Sequence, residues 1–129
     1  MIYLDSAAVV KLVRQEPSTA ALVAWLNART NIPLVSSVLV EIEVPRALRR
    51  NDPASLPAVP STLARINRLE VDATVRATAA SLPDPQLRSL DAIHLATALQ
   101  VVGQLQSFVT YDGRLLSFAQ LAGLPVASP

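Results

Sequence analysis

The chain has 129 residues, 51% hydrophobic and 16% charged, with a net charge of +1, no cysteine and one histidine. That length and apolar content fit one folded domain over residues 1–129 and exclude a disordered chain. Without cysteine there are no disulfides or thiolate metal sites, and a lone His94 excludes a multi-histidine centre; a bound metal would take oxygen ligands, favouring Mg2+ or Mn2+ over Zn2+.

In chain order, Ile2, Tyr3 and Leu4 form a short apolar run that reads as a buried strand. Ser6 is placed to cap a helix begun by Ala7, Ala8, Val9, Val10 and Leu12, which Pro17 interrupts. Residues 18–29 carry Ala21, Leu22, Trp25 and Leu26 at helical spacing. Ile32-Pro33-Leu34-Val35 reads as a second strand, Ser36 and Ser37 as capping candidates, and residues 38–50 as a helix that Pro45 bends or shortens. After a proline-rich loop over 51–60 a helix is expected through Leu63, Ile66 and Leu69, then a strand at Leu69-Glu70-Val71 and a helix capped by Asp72 and stopped by Pro83. Ser89 to Leu99 is apolar on nearly all sides, so it predicts a buried helix, closed by Gly103. Phe108 to Tyr111 is a strand, Leu115 to Ala119 a short helix capped by Gly123, and Leu124 to Ala127 a last strand. Strands alternating with helices predict an α/β domain, a mostly parallel sheet sandwiched by α-helices. No run reaches the roughly 20 apolar residues of a membrane span, and no secretory leader pattern is present. A cytoplasmic protein is expected.

The acids stand in unusual places. Asp5 and Asp112 each follow a buried strand directly, at the sheet edge where open α/β sheets bind ligands. Asp91 opens a very apolar helix. Each has a plain alternative role as a helix-capping or dipole-facing acid. Glu41 and Glu43 share a helix two residues apart and face opposite ways, so only one can join a shared site; spacing does not choose between them. Several carboxylates converging in an apolar domain repel unless a cation offsets them, and a hard divalent ion does so while acidifying a water and stabilising charge on phosphate. With four acids in such a site, the remaining surface is net basic, which suits a phosphate polymer. All basic residues except Lys11 are arginines, whose planar fork matches phosphate; a genomic bias gives the same excess.

Four stretches together resemble a PIN domain, and more narrowly a VapC-type ribonuclease toxin of a type II toxin–antitoxin pair. They are Ile2-Tyr3-Leu4-Asp5-Ser6-Ala7, Ser36-Ser37-Val38-Leu39 leading to Glu43-Val44-Pro45-Arg46-Ala47-Leu48, Leu90-Asp91-Ala92-Ile93-His94-Leu95-Ala96, and Val109-Thr110-Tyr111-Asp112. The resemblance implies a catalytic and metal-binding set of Asp5, Glu43, Asp91 and Asp112, and it selects Glu43 over Glu41. It implies Mg2+- or Mn2+-dependent endonucleolytic cleavage of structured RNA such as tRNA or rRNA, a homodimer, and a VapB-type antitoxin partner whose tail enters the active-site groove. Asp5, Asp91 and Asp112 would hold the metal, with Glu43 joining them or orienting the attacking water. Ser6 and Thr110 are second-layer candidates that steady the carboxylates. Arg46, Arg49, Arg50, Arg88 and Arg114 are candidate phosphate contacts, although solvated surface charge explains at least half of them. His94 is expected to be a buried packing residue rather than a base, and Trp25 part of the core or an antitoxin interface.

Rival readings are weaker. A receiver-type phosphoacceptor needs a lysine after a late strand, whereas the only lysine is Lys11. A two-aspartate phosphatase needs an acid where Ala7 stands. The alternative of a different class is a catalytically silent PIN-type module that binds RNA or protein.

Overall fold

The computed structural model describes residues 1–129. In chain order its elements are β1 (Ile2–Leu4), α1 (Ser6–Val13), α2 (Thr19–Asn27), β2 (Leu34–Ser37), α3 (Val40–Asn51), α4 (Val59–Leu63), β3 (Asn67–Leu69), α5 (Ala73–Ser81), α6 (Ser89–Gln100), β4 (Ser107–Val109), α7 (Gly113–Leu121) and β5 (Val126–Ala127). The strands form one sheet in the order β3-β2-β1-β4-β5, and every neighbouring pair is parallel. The chain therefore winds outward from β1 in one direction and later returns to β1's other side through β4. Between β1 and β4 the winding reverses, and the carboxyl ends of those two strands flank the crevice that such a reversal opens.

Side-chain alternation along these short strands builds two cores. Ile2, Leu4 and Val109 face one way, onto Ala8 and Val9 of α1, Leu22 of α2 and Val40, Val44 and Leu48 of α3. Tyr3, Val35 and Phe108 face the other way, onto Leu95 and Ala98 of α6 and Leu115 and Ala119 of α7. The period of two in β1 thus sends Tyr3 to the opposite side of the sheet from its neighbours, where it stacks on Phe108 with ring centroids 5.1 Å apart. No helix is long and apolar enough to cross a membrane.

The local departures from the sequence reading have physical causes. The cap of α1 is Asp5, which accepts the Ala8 amide; Ser6 is already helical and its hydroxyl is used elsewhere. Strand β2 runs on through Ser36 and Ser37, both fully buried, because Ser36 donates to the Leu4 carbonyl and Ser37 accepts the Leu39 amide. Ser36 thus acts as a strand residue because a neighbouring strand supplies its partner, whereas Ser37 takes its partner from the turn that follows. The helix expected through Leu69 stops at Leu63, and β3 lies two residues earlier than the apolar run suggested, as a polar edge strand. Gly103 does not close α6; Val101 does, and Gly103 sits in a 3-10 turn. α3 starts at Val40, two residues later than the sequence placed it, and runs as one helix through Pro45. The carbonyl it deprives of a helical donor is that of Glu41, an exposed residue whose backbone water can reach.

Gly123 follows the C-cap of α7 with φ +84°, and a Cβ there would meet nothing within 4 Å. The cost of filling it is therefore conformational alone. Gly123→Ala is expected to lower stability by about 1–2 kcal/mol, read as a shift of the urea midpoint without a change of slope.

Candidate active site

Asp5 leaves β1 at its carboxyl end and is 4% exposed. One oxygen accepts the Ala8 amide at 2.8 Å, and the other accepts the Thr110 hydroxyl at 2.5 Å. Thr110 follows β4, so this bond spans the crevice between the two strands; the same hydroxyl accepts the Asp112 amide at 3.1 Å. Burial pushes the Asp5 carboxyl above the ordinary range, although the Thr110 and Ala8 bonds pull the other way. Thr110 thus donates to one of the four sequence-chosen acids.

Glu43 and Glu41 separate as helix geometry requires. Glu43 turns into the crevice, whereas Glu41 pairs with Arg68 at 2.7 Å on the surface. The Oε1 atom of Glu43 accepts from Ser6 at 2.6 Å and lies 2.8 Å from Nε2 of His94. Burial raises the Glu43 carboxyl, but the bond and charge of His94 and the Ser6 hydroxyl outweigh it and hold the group below its usual value. His94 is 2% exposed, and its other nitrogen, Nδ1, lies 2.8 Å from the Tyr3 hydroxyl. It is buried as expected, yet it also touches a site acid. Tyr3 was missed by the sequence reading. The signal was available: a fully buried tyrosine hydroxyl needs a partner, and the one histidine sits on the most apolar helix.

Asp91 lies in the first turn of α6, and Asp112 caps α7, accepting the Arg114 and Leu115 amides. Arg88 bridges them, with Nε 3.0 Å from Asp91 and Nη2 3.2 Å from Asp112. The other candidate arginines behave differently. Arg114 donates to the Gln86 carbonyl, while Arg46, Arg49 and Arg50 are exposed along α3, Arg46 one turn beyond Glu43. Trp25 packs against the first core under the Arg29 guanidinium.

Asp5, Ser6, Ala7, Glu43, Arg88, Asp91, His94 and Asp112 line one cleft of about 180 Å3. All four sequence-chosen acids are therefore brought together. Their oxygens are the right donors for a hard divalent ion, but no group of three or more acidic or histidine side chains is disposed to hold one. Each acid instead has its own partner within the protein: a hydroxyl and an amide for Asp5, Ser6 and His94 for Glu43, Arg88 for the other two.

A parallel sheet with an acidic cleft at the reversal of its winding marks an open α/β domain whose candidate ligand site lies at the carboxyl ends of its strands. The PIN domain family model matches residues 2–124, and the chain belongs to that family. Within it the chain is similar to the VapC group. It is 51% identical to Ribonuclease VapC35 of Mycobacterium tuberculosis over 131 aligned residues, covering 100% of this chain and 97% of that one. It is 43% identical to Ribonuclease VapC46 of the same species, covering 99% and 97%. Among solved structures, FitAcB from Neisseria gonorrhoeae superposes with a TM-score of 0.73 at 21% identity, covering 100% of this chain and 98% of that one. FitAB bound to an IR36 DNA fragment gives 0.60 at 23%, covering 100% and 95%. The expected fold, one PIN-type parallel α/β sandwich, is thereby established.

Because burial raises the Asp5 carboxyl, folding carries a charge penalty that is complete above the folded-state pKa and absent below the ordinary carboxylate value. Asp5→Asn keeps the acceptor for Ala8 without the charge. In EDTA at pH 7 its melting temperature is expected to exceed the wild type's by a few degrees. That gain should shrink as the pH falls and vanish below the ordinary carboxylate range, as measured by thermal melts across pH.

Proposed function

We propose that the protein is a metal-dependent endoribonuclease, the toxin of a toxin–antitoxin pair, that hydrolyses phosphodiester bonds of structured RNA, with tRNA or rRNA as the substrate class. The observation that carries this reading is the convergence of Asp5, Glu43, Asp91 and Asp112 on one cleft. The ribonuclease names of relatives at 51% and 43% identity over nearly the whole chain support the same conclusion.

Asp5, Asp91, Asp112 and Glu43 would hold Mg2+ or Mn2+, which supplies an acidified water and offsets charge on the phosphate. The chain's own residues do the rest. Thr110 and the Ala8 amide keep the Asp5 carboxylate fixed at the crevice. Ser6 and His94 hold one oxygen of Glu43 and leave the other without a protein donor, so Glu43 is placed to orient the attacking water. Arg88, two-thirds exposed at 68%, is free to exchange its carboxylate partners for phosphate oxygens as RNA enters. Attack of the water oxygen on phosphorus and departure of the 3′ oxygen leave a 5′-phosphate and a 3′-hydroxyl. Arg46, Arg49 and Arg114 are the further phosphate contacts in this reading. A VapB-type antitoxin and a second copy in a homodimer complete this reading as its protein partners, in keeping with the similarity to VapC toxins.

The second reading is a catalytically silent module that binds RNA or protein. It is favoured by the absence of any acid group disposed to hold a metal and by the Arg88 bridge across two of the acids.

Incubation of the protein with total cellular RNA in Mg2+, Mn2+ or EDTA, with RNA ends mapped, separates the two. Discrete cuts that require the metal are expected. Asp5→Asn and Glu43→Gln should each lose on the order of 10²-fold or more in rate, while Glu41→Gln cuts like the wild type. Intact RNA under every condition would leave the silent module; cutting that survives Asp5→Asn would remove that residue from the mechanism.

A further inference from the structure

The buried pair behind Glu43 is more than packing. Tyr3 comes from the central strand and His94 from α6, and both are essentially inaccessible to solvent. Their bond, 2.8 Å from the Tyr3 hydroxyl to Nδ1, continues through the ring to a second contact of 2.8 Å between Nε2 and Oε1 of Glu43. An ionised carboxylate oxygen only accepts, so at that distance Nε2 must carry a proton. In the neutral ring Nδ1 then presents a lone pair, and the Tyr3 hydroxyl donates to it. The reverse tautomer would set the Nε2 lone pair against Oε1. Ser6 donates to the same Oε1 at 2.6 Å, so two donors fix one oxygen while no protein group donates to Oε2.

We propose that Tyr3 and His94 are positioning residues: Tyr3 fixes the ring tautomer of His94, and His94 with Ser6 pins Oε1 of Glu43 so that Oε2 serves the reaction. This rests on the ribonuclease reading and on the place of Glu43 in it. Hydrogen bonds from an outer layer orient working carboxylates, and breaking such a contact typically costs ten- to hundredfold.

Since His94 is the only histidine, histidine labelled with 15N gives a single-residue readout. The two-bond 1H–15N spectrum of the folded wild type is expected to show the Nε2–H tautomer, and Tyr3→Phe is expected to shift the ring toward a mixture. Any other ring state in the wild type, or an unchanged ring in Tyr3→Phe, overturns the proposal. Kinetics supply the second arm, with each variant's folded fraction fixed by its melting curve. His94→Asn keeps an acceptor for Tyr3 but does not reach Glu43; its kcat should fall ten- to hundredfold with KM little changed. His94→Gln places an amide donor near the Nε2 position and should recover most of that loss. Equal loss in the Asn and Gln variants, or no loss in the Asn variant, overturns the positioning role even though wild type cuts and Glu43→Gln does not. A wild type that does not cut removes the ribonuclease reading and this inference together, and cutting by Glu43→Gln removes both Glu43's role and this inference.

Discussion

A carboxylate buried at the end of the central strand is the constraint on which the site depends. Asp5 cannot be solvated where β1 leaves it, so its two oxygens must find donors inside the protein. One comes from the first turn of α1 and the other from Thr110 beyond β4. The second bond ties together the two strands between which the winding of the sheet reverses, and the Thr110 hydroxyl also accepts the amide of Asp112. Two acids from opposite ends of the chain are thus held in register through one hydroxyl. Burial keeps the Asp5 carboxyl raised all the same, against the pull of both bonds.

The alternation of β1 gives the sheet's two faces separate tasks. Ile2 and Leu4 anchor α1 and α3, the helices that carry Ser6 and Glu43. Tyr3, between them, enters the opposite core, stacks on Phe108 and reaches His94 on α6. His94 then returns to Glu43, so a three-residue strand connects both cores to one carboxylate. Displacing either core would be felt at Glu43, because close-packed interiors transmit small shifts.

The four acids are not treated alike. Asp5 is satisfied by neutral donors, Glu43 by a hydroxyl and an imidazole, and Asp91 and Asp112 share the exposed guanidinium of Arg88. Charge that the protein neutralises with a solvent-exposed side chain is held weakly, whereas the bonds around Asp5 and Glu43 are shielded. The cleft therefore has one half held by shielded bonds and one half held by a solvent-exposed guanidinium.

Much of this was legible in the sequence. The apolar Ile2-Tyr3-Leu4 run, the acids that end β1 and β4, and the all-round apolar α6 each carry a local signal, because a buried strand or helix must be apolar whatever surrounds it. The parallel sandwich and the four-acid set followed from those signals together with the resemblance. What the sequence could not decide was anything that depends on a partner from elsewhere in the chain. Ser36 and Ser37 read as caps until the Leu4 carbonyl made a strand residue of Ser36; the polar edge strand β3 carried no hydrophobic pattern to find; and nothing local to Arg88 shows that it meets two carboxylates, one of them 24 residues away. Tyr3 and His94 are 91 positions apart, and only the register of β1 against β4 and the packing of α6 bring them together. Local composition determines which segments are buried, because burial depends on each side chain's own transfer from water; which polar atoms meet inside is settled by tertiary packing, because a hydrogen bond needs two groups and the chain supplies the second from a distance.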